Sequence, residues 1–215
     1  MSDLPPVAVK VWGDYACFTR PEMKVERVTY PVPTPSAARG ILEAIFWKPQ
    51  FAWQVRSIEV LRPIRRISLL RNEVKRKVAL STAKKPGNRY FADDDRTQRH
   101  TLALRDVAYV IRADMAVVED EHPAKYRDQF RRRVARGQCF HRPYLGCREF
   151  TAHFAEPDGT EQPIDLAEDL GRMLFDMRYG GDGDRIEPVF FNARIEHGVI
   201  TVPQEHYAQA GGSVC

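Results

Sequence analysis

Polar and apolar positions alternate at the start of the chain: Val7, Val9 and Val11 flank Ala8 and Lys10, the period-two pattern of a half-buried strand. Lys24 to Tyr30 reads as extended, and Pro31, Pro33 and Pro35 then forbid regular structure until a helix opens at Thr34-Pro35-Ser36. A proline in the first helical turn forfeits no hydrogen bond. Ala38, Ile41, Leu42 and Ile45 share one face of this helix, which Lys48-Pro49 closes. Phe51 to Leu61 predicts a second strand with a break near Ser57, and Pro63 to Val78 continues as an extended basic segment. Lys84 to Asp95 is a polar loop or hairpin tip. Thr101 to Val118 is a strand or pair of strands in which Val107, Tyr109 and Ile111 alternate. A second helix starts at Pro123, places Tyr126, Phe130 and Val134 on one face and stops at Gly137.

With a last strand over Cys147 to Phe154, the order strand–helix–strand, strand–helix–strand resembles a ferredoxin-like (RRM-like) unit. Beyond it, Pro157-Asp158-Gly159 turns the chain, and Leu170 to Tyr179 and Val189 to Ile195 read as strands. Glu196-His197-Gly198 turns into Val199 to Val202, Gly180-Gly181-Asp182-Gly183 is a turn, and Ala208 to Cys215 a frayed tail. The expected fold class is therefore α+β: a ferredoxin-like domain over residues 1–155 with a basic β-hairpin extension, then a small antiparallel β-sheet domain over 156–215.

Composition narrows the class. Of 215 residues 43% are hydrophobic, enough for a core, yet no apolar run reaches a membrane span and Met1 to Pro6 lacks a secretory pattern. A soluble, cytoplasmic protein with reduced Cys17, Cys139, Cys147 and Cys215 is expected. The net charge of +4 says little, but its distribution says more. Between Arg62 and Lys85 nine basic residues face one acid, Glu73, and between Lys125 and Arg136 six face Asp128. From Glu156 to Glu187 the sign reverses, with ten acids against three arginines. Segregated charge gives a directional field suited to a phosphate backbone.

Candidate binding residues follow. Arg39 and Gly40 open the first helix, where free N–H groups and a close backbone suit phosphate. Arg65, Arg66, Arg71, Lys75 and Lys77 line a backbone-contacting ribbon. Arg131 to Arg133 cannot all face one way on a helix, so two of the three, Arg131 and Arg132, join the set with His141. Trp12, Trp47 and Trp53 are expected in the core rather than under bases. Cys139, His141, Cys147 and His153 lack the paired spacing of a zinc site, so no metal is expected.

Three blocks make the reading specific: VKVWGDYACFTRPEMKVERVTYPVPTPSAARGILEAIFWKP (9–49), LLRNEVKRK (69–77) and RRRVARGQCFHRPYLGCREF (131–150), followed by EHGVITVP. Together they resemble the fifth Cas protein family in its Dvulg subtype, the repeat-processing subunit of type I-C CRISPR systems, over nearly the whole chain. The resemblance implies binding and metal-independent cleavage of the repeat hairpin of precursor CRISPR RNA, with no cofactor. It also implies retention of the mature CRISPR RNA by its 5′ handle among the other subunits of a surveillance complex; double-stranded DNA binding is known in the family too. The family's catalytic set is a tyrosine on the first helix and a Lys-His pair before the second. Here these positions are Phe46 and Lys125-Tyr126, so the lysine is kept, a hydroxyl is missing and a tyrosine stands for the histidine. Lys125 and Tyr126 are the catalytic candidates, with His100, His122 and His141 as substitutes for the base. Against this enzyme stand a non-cleaving subunit that caps the 5′ handle and a general double-stranded nucleic-acid binder.

Overall fold

The computed structural model describes residues 4–23, 25–76, 78–87, 89–117, 122–179 and 186–209. Lys77, the Gly180-Gly181-Asp182-Gly183 turn and the tail beyond 209 lie outside them. The fold is mixed α/β and mostly antiparallel. Its elements are β1 (Val7–Ala16), β2 (Arg27–Val28), α1 (Pro35–Ile45), β3 (Phe51–Val60), β4 (Arg65–Val74), α2 (Leu80–Ala83) and β5 (Arg96–Val117). There follow α3 (Pro123–Ala135), β6 (His153–Ala155), β7 (Glu168–Tyr179), β8 (Ile186–Ile195), β9 (Val199–Thr201) and α4 (Glu205–Gln209).

The main sheet runs β6-β1-β5-β3-β9, with β2 and β4 also paired to β5. The alternation that predicts β1 is realised: Val7, Val9 and Val11 are buried between half-buried Ala8, Lys10 and Trp12. In β3 the break expected near Ser57 is a register shift between Val55 and Ser57 that keeps Val55, Ile58 and Val60 on the core. Both helices start as expected. Thr34 Oγ1 accepts the Ala37 N–H (3.1 Å) with Pro35 in the first turn, and α1 buries Ala38, Ile41, Leu42 and Ile45. α3 buries Tyr126, Phe130 and Val134. α1 packs on β3 and β7, α3 on β5 and β1, and the helices touch.

β5 is longer than Thr101 to Val118 suggested, because it serves two partners in succession. Residues 109–117 pair with β3 and residues 96–105 with β4, the latter pair forming an arm that leaves the main sheet. The hinge between the halves is Asp106, in left-handed conformation at φ 54°. The arm's connecting loop holds α2 and a 3₁₀ turn, Ala92–Asp95, clasped by buried Asp95. Its carboxylate accepts from the Arg76 N–H (3.0 Å), Arg76 Nε (3.1 Å) and the Tyr90 hydroxyl (3.0 Å).

Two expectations are corrected. The strand foreseen from Cys147 is ordered as β only over His153–Ala155. Before it, Leu145 O and N serve Cys17 and Phe150 respectively, so residues 145–150 form a tight loop instead. Val199–Thr201 leaves the β7–β8 ribbon and pairs with β3, Ile200 opposite Ile58. This return brings Met173, Phe175, Phe191 and Ile195 of the ribbon into one apolar cluster with α1 and the sheet.

Two glycines separate conformation from space. Gly146 and Gly159 have nearly the same positive φ, 83° and 84°, yet a Cβ at Gly146 would sit 2.1 Å from Cys17 O while one at Gly159 meets nothing within 4 Å. Gly159→Ala is expected to cost about 1–2 kcal/mol, the conformational part alone. Gly146→Ala should cost roughly 2 kcal/mol more, since the obstacle is backbone that cannot swing away. Urea unfolding of the two variants measures the difference, and equal losses would contradict the close crossing.

Candidate nucleic-acid interface and cleavage centre

The arm presents two faces because strand residues alternate. On one, Arg71 stands opposite Arg99 and Glu73 opposite Thr97. Like charges so placed need acids between them, and the structure supplies these. Arg71 pairs with Glu149 of the 145–150 loop, Arg27 bridges Glu149 (3.3 Å) and Glu73 (3.6 Å), and Arg99 reaches Glu73 (3.3 Å). Burial pushes the Glu149 carboxyl up, but its backbone hydrogen bond and the Arg71 and Arg27 guanidiniums outweigh that and hold it below the usual range. Arg71 thus locks the arm to the body; it does not reach outward. Arg65, with Arg62, is paired to Asp106 at the hinge.

The other face carries Arg66, Ser68, Leu70, Asn72 and Val74, opposite Leu104, Leu102, His100, Gln98 and Arg96. Arg66 and Lys75 are exposed and, among the described residues, belong to no ion pair. Between them stand exposed Leu70 and Val74, with Leu80, Tyr90 and Phe91 exposed towards the tip. Cations interleaved with apolar and aromatic groups suit a strand of nucleotides better than cations alone. Reading charge alone misses Leu70, Val74 and Phe91; for the first two the signal was their place on one strand face with Arg66, Ser68 and Asn72.

At α1 the expected phosphate site is corrected. The helix begins at Pro35, so Arg39 and Gly40 lie in its second turn, past the free N–H groups; already Ala38 N bonds Thr34 O (2.9 Å). The Arg39 guanidinium forks onto Asp176 of β7, with Nη2–Oδ1 at 2.9 Å and Nη1–Oδ2 at 2.7 Å, and so ties helix to ribbon. Gly40 remains open: nothing lies within 4 Å of a Cβ there, and it borders a cleft of about 270 Å³ with Thr19, Thr34, Ser36, Tyr144 and Gly146.

The end of α1 and the start of α3 converge on an aromatic cluster. Phe46 stacks on Phe51 (5.4 Å between centroids), and Phe51 meets both Trp53 (5.4 Å) and Tyr126 (5.3 Å). The structure therefore gathers the positions that the resemblance singles out. Tyr126 is only 3% exposed and forms a wall of this cluster, while Lys125 is exposed with Nζ 5.3 Å from the Tyr126 ring. Arg133 lies over Phe46 (5.4 Å) and donates to Ile45 O (2.9 Å), satisfying a helix-end carbonyl. Arg127 is buried and donates to Pro5 O. The exposed arginines of α3 are the two expected ones, Arg131 and Arg132. His122 caps α3 by accepting the Ala124 N–H at Nδ1 (3.3 Å), which leaves the proton of the neutral ring on Nε2.

His141 is exposed and held with Phe140 against α1, both N–H groups reaching Ala44 O (3.2 and 2.8 Å). Phe140 is 81% exposed and Trp47 46%, so two aromatic rings face solvent near the end of α1. Trp47 was expected in the core; Trp53 is there, and half-buried Trp12 stacks on His153. Among the described residues no hydrogen bond, ion pair or ring contact joins the arm's cations to those of α3. None of their helices is long and apolar enough to cross a membrane.

A family profile described as CRISPR-associated protein (Cas_Cas5), Cas_Cas5d, matches residues 7–203. The chain is 50% identical to a Thermus thermophilus protein named CRISPR pre-crRNA endoribonuclease Cas5d, across 94% of this chain and 93% of that one. A Mannheimia succiniciproducens protein of the same name is 45% identical, across 92% and 94%. A solved structure described as a CRISPR-associated protein superposes with a TM-score of 0.67 at 25% identity, covering 93% of both chains.

The two faces of the arm lead to opposite expectations for single arginines. Arg71→Ala should lower the stability to urea unfolding by about 1–2 kcal/mol by leaving Glu149 underpaired. Arg66→Ala should stay within about 0.5 kcal/mol of the parent. Equal effects would remove the distinction between locking and outward-facing cations.

Proposed function

The chain belongs to the Cas5d family of CRISPR-associated proteins, and from that premise we propose that it is a metal-independent endoribonuclease for the repeat hairpin of precursor CRISPR RNA. It stays on the 5′ handle of the mature RNA, as a subunit of a type I-C surveillance complex in the cytoplasm. The observation that carries this is 50% identity, across almost the entire chain, to a protein named for that activity. The sheet order β6-β1-β5-β3, with α1 and α3 as crossovers, supports reading residues 1–155 as ferredoxin-like with a basic hairpin arm. Within 156–215, the expected small antiparallel unit, the β7–β8 ribbon docks on α1 through Arg39 and Asp176.

Cleavage of this class uses the RNA's own 2′-hydroxyl. As its oxygen attacks the adjacent phosphorus, the bond to the 5′-oxygen breaks, leaving a 2′,3′-cyclic phosphate and a 5′-hydroxyl. The protein must position the strand, accept one proton, return one, and neutralise the phosphorane. Lys125 is the cation for that charge, its ammonium held beside the Tyr126 ring. Tyr126 acts by packing: its wall on Phe51 fixes the first turn of α3 and hence Lys125. His122, on the same turn, is the candidate for the proton transfers: as neutral imidazole it takes the 2′-hydroxyl proton, and as imidazolium it returns one to the departing 5′-oxygen, giving up its cap on Ala124 N–H. Arg66 and Lys75 on the arm, and Arg131, Arg132 and His141 on the body, hold the RNA on either side, and the open face of the arm also accommodates a duplex. The burial of Tyr126 and the missing hydroxyl at Phe46 are what a non-cleaving handle cap would also have, so the test must separate the two.

Purified protein with its cognate repeat RNA in EDTA is expected to cleave once, and to leave intact an RNA with a 2′-deoxy nucleotide at the scissile position. Binding of both without cleavage of either would establish the handle cap, and equal affinity for unrelated duplexes the general binder. Lys125→Ala should lower the cleavage rate at least tenfold with little loss of binding, while Tyr126→Phe should keep it within about threefold. An unchanged rate in the first variant removes Lys125 from the mechanism.

The arm is tested apart from cleavage. The Arg66→Ala/Lys75→Ala double variant should weaken RNA binding and reduce the slope of log affinity against log salt by about 1.5. An unchanged slope would make the outer face of the arm plain surface.

A further inference from the structure

Two thiols that cleavage does not use stand against one another where the arm meets the body. Cys17 follows β1 directly and is fully buried; its N–H donates to Leu145 O (3.0 Å), which draws residues 145–147 across it. Cys147 is half-buried, with its Sγ 3.6 Å from Cys17 O, which sets its side chain against Cys17. Arg27 Nη1 lies 3.7 Å from Cys147 Sγ, and Thr19 Oγ1 lies 3.5 Å from Cys17 Sγ.

These neighbours make the two sulfurs unequal. Its interaction with Cys147, then burial, pushes the Cys17 thiol up and keeps its proton on. The same interaction, then the Arg27 guanidinium, pulls the Cys147 thiol down against its burial and the charge of Glu149. When neutral, Cys147 donates to Cys17 O; when ionised, it accepts from Arg27. A thiolate with access to solvent therefore has a sheltered thiol in contact with it.

We propose that Cys147 and Cys17 form a reversible oxidation site, Cys147 reacting with a hydroperoxide and Cys17 closing an intramolecular disulfide. In the first step the Cys147 thiolate attacks one peroxide oxygen, the O–O bond breaks, and the departing oxygen takes a proton to become water or an alcohol. The sulfur, oxidised by two electrons, is then a sulfenic acid. In the second step the Cys17 sulfur displaces that hydroxyl, the S–S bond forms, and water leaves with the Cys17 proton. A small dithiol reverses the reaction by exchange and is itself oxidised. The cross-link ties the loop bearing Glu149 to the end of β1 and so fixes the body side of the Arg71–Glu149–Arg27 lock.

The test uses the full chain with Cys139→Ser and Cys215→Ser, treated with one equivalent of hydrogen peroxide. Expected are loss of both titratable thiols, a Cys17–Cys147 peptide pair in a non-reducing digest, and a rise in Tm of roughly 5–10 °C that dithiothreitol reverses. With Cys17→Ser added, a dimedone adduct should accumulate at Cys147. Two thiols remaining after treatment, a cross-link between chains instead of within one, or an unchanged Tm would each overturn the proposal. RNA cleavage by the reduced protein reports on the function above and leaves this inference untouched.

Discussion

The molecule turns on one residue in left-handed conformation. β5 must close the core sheet between β1 and β3 and also form half of an arm with β4, and a continuous strand cannot lie flat in both. Asp106, at φ 54°, makes the change of direction. A non-glycine residue there is strained, and aspartate is among the side chains that tolerate it because a short carboxylate can find local partners. Here the partners are Arg62 and Arg65, which flank the entry to β4. The same contact that relieves the hinge aligns the first residues of the strand that pairs beyond it. Arm, hinge and core sheet are thereby one covalent ribbon, and whatever the arm grips is coupled to the body through β5.

A hinge alone would leave the arm free to swing, and the second half of the design is the ion network at its root. Arg71, Arg99 and Arg27 meet Glu73 and Glu149, and all but the exposed Glu149 are half-buried, where pairing is less screened than at the surface. Five charges satisfied mutually cost less than any one of them left unpaired, so the network holds a geometry more than it adds stability. This division of labour takes part of the basic stretch out of the outward-facing set. The arginines that face the body hold the arm in place; Arg66 on the outer face and exposed Lys75, just past the end of β4, are not used in that way.

The sequence reading reached the mixed α/β class and the main elements because their devices are local. The proline-capped helix starts, the period-two strands and the apolar stripes of α1 and α3 stand where Thr34, Val7 to Val11, Ala38 to Ile45 and Tyr126 to Val134 placed them. Long-range choices were out of reach. Nothing near Val199 announces that it will pair with Ile58's strand rather than prolong the ribbon, and nothing near Arg39 announces Asp176, 137 residues away. The binding candidates divide in the same way. Arg131, Arg132, Arg66 and Lys75 are exposed, as a helix face or a strand tells; Arg39, Arg65 and Arg71 are spoken for by acids that only the fold brings near. Counting arginines in a basic stretch overestimates the interface by the number that the protein keeps for itself.

The proposed cleavage centre poses the remaining problem, since two of the three groups that the resemblance implies are changed here. A side chain walled in among Phe46, Phe51 and Trp53 cannot meet a hydrated phosphate without breaking that packing, which would cost several kcal/mol. The first turn of α3 offers a simpler solution. Exposed Lys125 stands with its ammonium 5.3 Å from the buried Tyr126 ring, and exposed His122 is tied to the same turn through its Nδ1. Transesterification in which the RNA supplies its own nucleophile asks mainly for strand geometry and one fixed positive charge. In the proposed mechanism the aromatic cluster serves as the rigid floor beneath Lys125, and on that proposal an amino-acid change at position 46 or 126 that preserves the floor preserves the chemistry.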